Sequence, residues 1–154
     1  MRFFLLMLGA LLSLLGCDRT GELRPGVSSA AEVQEKMGKP AMEWQEGADK
    51  VWEYPFTPEG TRNYMLTIGP DGVLKTMEQV LTPENMARVK PGMSRDDVRR
   101  LLGKPASSVV FQSKGEEVWD WKLPSMPSTE ARFNVHFDLS GRVAATSKSE
   151  ISRG

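Results

Sequence analysis

The chain has 154 residues, with 20 basic against 20 acidic side chains, 40% hydrophobic and 26% charged content, one cysteine and one histidine. A formal net charge of zero gives no basic footprint for general nucleic-acid binding. One cysteine excludes an intrachain disulfide framework and a multi-cysteine zinc site, and one histidine argues against a multi-histidine metal site.

Residues 3–15 form an apolar run behind a single cation, Arg2. The run is shorter than the roughly 20 residues of a membrane-spanning helix, and its short cationic start fits a secretory signal peptide. It leaves through Leu14-Leu15-Gly16-Cys17, which resembles a bacterial lipobox. In that class of signal, cleavage precedes the cysteine and the cysteine is lipidated. We expect a signal peptide over 1–16, lipidation at Cys17 (palmitate among the acyl chains) and a tether over 17–22. More than one acyl chain gives stable anchoring, each buried methylene adding about 0.8 kcal/mol. Asp18 resembles an inner-membrane retention signal of enteric bacteria. Other bacteria read neighbouring positions, so both membranes remain open.

Ser29 can cap a short helix carrying Val33 and Met37, which Gly38 and Pro40 would end. A weak strand over 41–46 leads to a stronger one with Trp52, Tyr54 and Phe56 on one face. Tyr64, Leu66 and Ile68 then alternate with Asn63, Met65 and Thr67, the pattern of a half-buried antiparallel strand. Pro70-Asp71-Gly72 marks a turn, and a strand follows over 73–80.

Thr82 and Pro83 open a further short helix with Met86 and Val89. Ser94, with Asp97 three residues on, makes a capping-box start to a helix whose stripe is Val98, Leu101 and Leu102. Gly103 suits a left-handed C′ position and Pro105 blocks continuation. A weak strand over 106–112 precedes Trp119, Trp121 and Leu123. The Pro- and Ser-rich stretch from Leu123 to Thr129 reads as an irregular excursion. Phe133, Val135, Phe137 and Leu139 then alternate with polar residues, and a last strand covers 142–149.

These halves are copies. Arg24-Pro25-Gly26-Val27 recurs as Lys90-Pro91-Gly92-Met93, Met37-Gly38-Lys39-Pro40 as Leu102-Gly103-Lys104-Pro105, and Val51-Trp52-Glu53-Tyr54 as Val118-Trp119-Asp120-Trp121. The order is conserved along the chain, which is the mark of an internal repeat. We expect an α+β fold of two tandem repeats, over 23–80 and 81–154. Each has one or two short helices packed on a three- to four-stranded antiparallel sheet. A unit of roughly 60 residues is marginal alone, so the two should pack together or extend one sheet.

The run from Leu81-Thr82-Pro83 through Lys90-Pro91-Gly92-Met93-Ser94 to Leu101-Leu102-Gly103-Lys104-Pro105, with Val118-Trp119-Asp120-Trp121 beyond it, resembles the SmpA/OmlA/BamE lipoprotein family. The Cys17 lipobox and the short tail behind it fit too. The resemblance covers 81–149 well and 23–80 more faintly. It implies helices on an antiparallel sheet and a non-enzymatic role beside the machinery that inserts β-barrels into the outer membrane. It also implies an outer-membrane location facing the periplasm. Two units instead of one set this chain apart from the accessory subunit. The tandem arrangement is similar to a secreted inhibitor of β-lactamases, whose concave sheet grips the enzyme.

No catalytic constellation stands out. His136 falls on the polar side of its strand. Asp96-Asp97 fits helix-start electrostatics, and Glu116-Glu117 beside Gly115 reads as a solvated turn. No phosphate-binding glycine run or nucleophile elbow occurs. Trp52, Tyr54, Trp119 and Trp121 could form a ligand platform, but core packing is the favoured reading. Trp44 and Phe111 sit at matching places after the helices and are candidates for a binding surface. We therefore expect no cofactor, no metal and no enzyme. The expected role is a lipid-anchored binding or scaffold protein of the cell envelope, with the barrel-assembly machinery as a candidate partner. An inhibitor of a periplasmic hydrolase is the alternative.

Overall fold

Ser29 and Ser94 start the two longest helices, α1 (Ala30–Met37) and α3 (Arg95–Leu102). Each serine hydroxyl accepts the backbone N–H three residues on, at 3.1 Å in both cases. At α3 the Asp97 carboxylate also accepts the Ser94 N–H at 2.8 Å, completing the capping box. Gly38 and Gly103 close the two helices with φ of 79°. Their ψ values of −166° and −175° are extended, so these glycines are not the left-handed helical caps the sequence suggested. They turn the chain sharply out of the helix in a region that residues with a Cβ avoid. Between the two lies α2 (Pro83–Ala87), capped by Thr82.

The computed structural model describes residues 19–152. The expected signal peptide over 1–16, Cys17 and Asp18 lie outside the described residues. The strands are β1 (Met42–Glu46), β2 (Asp49–Pro55), β3 (Asn63–Ile68), β4 (Leu74–Gln79), β5 (Ser107–Phe111), β6 (Glu116–Leu123), β7 (Thr129–Asp138) and β8 (Val143–Ser152). They form two antiparallel four-stranded sheets, ordered β1-β2-β3-β4 and β5-β6-β7-β8. The fold is α+β with two repeated units. Small details repeat as well. The Gly26 N–H donates to the Leu74 carbonyl, and the Gly92 N–H donates to the Val143 carbonyl. Ser29 bridges to Val73, and Ser94 bridges to Arg142. Glu116-Glu117, expected in a turn, instead begins β6, because a short 3-10 turn at Gln112–Lys114 makes the reversal.

Each unit packs its helix on one face of its own sheet. In the first, Val33 meets Trp52, Tyr54, Leu66, Ile68 and Leu74. In the second, Val98 and Leu102 meet Trp121, Phe133, Val135, Phe137 and Val143. The tyrosine and tryptophans expected in the core are there, with Trp119 half-buried and edge-on to Phe137 at 4.9 Å. Full burial of a large apolar side chain contributes about 1.5–3 kcal/mol. In both units an aromatic donor also ties the strand to the helix end. Tyr54 donates to the Gly38 carbonyl at 2.9 Å, and the Trp121 indole donates to the Gly103 carbonyl at 3.1 Å.

One expectation fails. Alternation along β3 implied a solvated face of the first sheet, yet Glu53 and Asn63 on that face are 0% exposed, and Met65 and Trp44 are buried as well. The cause is α3 of the second unit, whose polar side lies on this face while its apolar stripe serves its own sheet. The units therefore pack together and do not extend one sheet.

Candidate functional site

The seam between the units is crossed by polar contacts from α3 and the residues behind it to the first sheet. Arg99 of α3 meets Glu53 of β2 through two parallel bonds, Nη2 to Oε1 at 2.8 Å and Nε to Oε2 at 3.1 Å. This paired geometry matches the guanidinium fork to a carboxylate. The hydrogen bond to Glu53 raises the Arg99 pKa, and burial opposes it. Asn63 donates through Nδ2 to the carbonyls of Leu102 and Lys104, at 2.8 and 3.1 Å. Gly103 permits that approach, because a Cβ there would lie 2.7 Å from Asn63 Cβ. Trp44 donates to Asp96 at 3.2 Å and carries the Arg100 guanidinium 5.4 Å above its ring.

Two clefts open along this seam. One, of about 450 Å³, runs between Met65, Thr67 and Glu78 of the first sheet and Arg88, Asp97 and Arg100 of the second unit. The other, of about 530 Å³, is more apolar and includes Leu81, Met86 and Leu123, with Arg62 and Lys148 as its cations. Each has walls from both units, so its shape depends on the seam.

The outer face of the second sheet is the counterpart of the face that α3 covers in the first. Asp120 stands 67 residues after Glu53. Trp44, opposite Val51, has its counterpart in Val109, opposite Val118, and not in Phe111, which pairs with Glu116 at the end of β5. No helix of the described residues covers this outer face. Arg132, from the neighbouring strand, pairs with Asp120 and Glu130 and so supplies the guanidinium that Arg99 supplies to Glu53. Lys114 sits 5.6 Å over Phe111 much as Arg100 sits over Trp44. The outer face thus satisfies its own polar groups, as a terminal unit of a repeat array does.

The sequence candidates therefore separate. Trp44 is 7% exposed and holds the seam, whereas Phe111 is 41% exposed on an edge strand. His136, on the polar side as expected, has Nδ1 3.1 Å from Glu116 and Nε2 2.9 Å from the Ser147 hydroxyl. This is the order of an orienting acid, a base and a nucleophile. None of the three lines either seam cleft, and Asn134 also donates to the Ser147 oxygen at 3.2 Å. Among the described residues, no group of three or more His, Cys, Asp or Glu side chains is placed to hold a metal ion. No helix of the described residues is long and apolar enough to cross a membrane. Sequence reading missed Glu53, Asn63 and Arg99. The only available signal was a polar residue within a strand already rich in apolar neighbours.

Residues 78–147 match the family described as the outer membrane protein assembly factor BamE domain. The second unit is thus similar to a BamE domain. The match starts near the end of β4 and takes in α2, α3 and most of the second sheet, so the matched segment contains the arginine side of the seam and the open outer face. Two solved structures are similar overall. A DUF4309 family protein from Bacillus subtilis has 10% identity and a TM-score of 0.34, covering 88% of this chain and 86% of that one. A protein from Streptococcus mutans, described as a putative beta-lactamase inhibitor protein, has 14% identity and a TM-score of 0.31, covering 79% and 82%. No curated protein matches the chain.

Proposed function

We propose that the protein is a lipid-anchored, periplasm-facing binding or scaffold module that serves outer-membrane protein assembly. The observation that carries this reading is the match to the BamE domain over residues 78–147. The leader and lipobox at Cys17 support the anchor: residues 1–16 are the signal peptide and 17–22 the tether. Beyond them, 23–80 and 81–154 are the two BamE-like units. In this reading the chain works by holding partners and not by turnover. The anchor confines it to a membrane surface and raises its effective concentration near membrane-bound partners. The seam keeps the two units in one orientation, so surfaces from both can be read together.

Affinity capture from detergent-solubilised envelopes tests the role. Recovery of barrel-assembly subunits is the expected result. Recovery of a soluble hydrolase that loses activity on binding would replace this reading with inhibition. Labelling with a palmitate analogue should mark the native chain and not the Cys17→Ser variant.

A further inference from the structure

The four edge strands of the two sheets are not alike. β1 carries Glu43 and Glu46, β4 carries Lys75 and Glu78, and β8 carries Lys148 and Glu150. β5 reads Ser-Ser-Val-Val-Phe and has no charge. Val109 and Phe111 are 46% and 41% exposed on one side of its pleat, and Val110 is 49% exposed on the other. Charged side chains on an edge discourage pairing with other chains. Three edges have that guard and β5 lacks it. β5 is paired on one side only, by β6. The other side offers a row of backbone donors and acceptors, which an extended strand satisfies.

The surroundings specify the partner further. Lys104 precedes β5 and Lys114 follows it. Both are exposed, and neither has a carboxylate partner among the described residues. Self-pairing would set lysine against lysine in either strand direction. A segment with acids at its ends would meet a lysine at each end.

Resting on the reading of the chain as a binding protein, we propose that the β5 edge binds an extended, uncharged segment of a partner polypeptide flanked by acidic residues. The partner strand would add to the second sheet as a fifth strand. Its alternate side chains would lie beside Val109 and Phe111 on one face and beside Val110 on the other.

The test uses the full chain in detergent and a seven-residue peptide of alternating valine and threonine with an aspartate at each end. Hydrogen exchange read by NMR should show new protection within Ser107–Phe111 and none along β1. Lys104→Glu combined with Lys114→Glu should weaken binding on the order of tenfold, and a peptide with lysine ends should restore it. Val109→Lys, which adds the missing guard beside Glu116 and Asp120, should abolish binding while leaving the melting temperature near that of the native chain. Protection elsewhere, binding indifferent to both variants, or concentration-dependent self-association through β5 would overturn the proposal. Loss of this peptide interaction alone, with assembly subunits still captured, would leave the proposed function standing.

Discussion

Arg99 of α3 and Glu53 of β2 lie 46 residues apart in sequence and make a two-point ion pair across the seam, with the Glu53 side chain wholly removed from solvent. A buried carboxylate without its partner is costly, whereas a buried pair replaced by apolar side chains is often tolerated. Arg99→Met should therefore destabilise the protein by about 3 kcal/mol. The double variant Glu53→Leu with Arg99→Met should recover most of that loss. Urea unfolding of the four chains in a double-mutant cycle measures the coupling.

The two helix-closing glycines should respond unequally to the same change. Both have φ of 79°, so alanine at either costs about 1–3 kcal/mol in backbone strain. At Gly38 the new Cβ meets nothing within 4 Å, but at Gly103 it would overlap Asn63. Gly103→Ala should cost a further 1–3 kcal/mol or so through overpacking. Thermal melts of the two variants give the difference. Equal losses would mean that the seam yields freely at Asn63.

Acid should weaken the second unit and the seam. Asp96 titrates below its ordinary value of 3.8, chiefly through its hydrogen bond with Arg100, with Trp44 adding to this. Asp97 is lowered by the Ser94 backbone N–H and hydroxyl. Burial pushes Glu117 up, but hydrogen bonds from Trp119, Ser108 and Arg95 outweigh it and hold the group below 4.5. Carboxylates lowered in the folded state protonate more readily in the unfolded chain. Their contribution is complete above the unfolded values and is lost as pH falls through the folded ones. The melting temperature should hold steady down to about pH 5 and drop below about pH 4. Asp96→Asn should make that drop shallower.

The Glu116-His136-Ser147 chain should not turn over esters. Catalysis of acyl transfer needs donors aimed at a developing oxyanion as well as a base and nucleophile. Here the three groups lie on the outer face of a sheet and border neither seam cleft. Treatment with a fluorophosphonate probe should leave Ser147 unlabelled, and Ser147→Ala should leave any background ester hydrolysis unchanged. Stoichiometric labelling abolished by His136→Ala would make the protein an enzyme.

Much of the fold was legible in the residues. Ser94 with Asp97, the recurrent Gly-Lys-Pro and the paired aromatic strands set out two helix-and-sheet units, and both formed. The second face of the first sheet was not legible. Glu53 and Asn63 read as outward polar positions because alternation reports one sheet and its own helix. Their partners, Arg99 and the carbonyls of Leu102 and Lys104, come from the next unit. Trp44 and Phe111 were matched as equivalent places, but the registers pair Trp44 with Val51 and Val109 with Val118, so Val109 is the counterpart of Trp44 and Phe111 lies two residues further along its strand. Burial of Trp44 and exposure of Val109 depend on α3, which the local sequence does not report.

α3 joins the two sheets into one cooperative body. Equilibrium unfolding of the chain, followed at once by NMR signals from Trp52 and Trp121, tests it most directly. We expect both signals to disappear at the same urea concentration in the native chain and to separate in Arg99→Met. Two separate transitions in the native chain would mean that the sheets unfold independently and that α3 does not couple them.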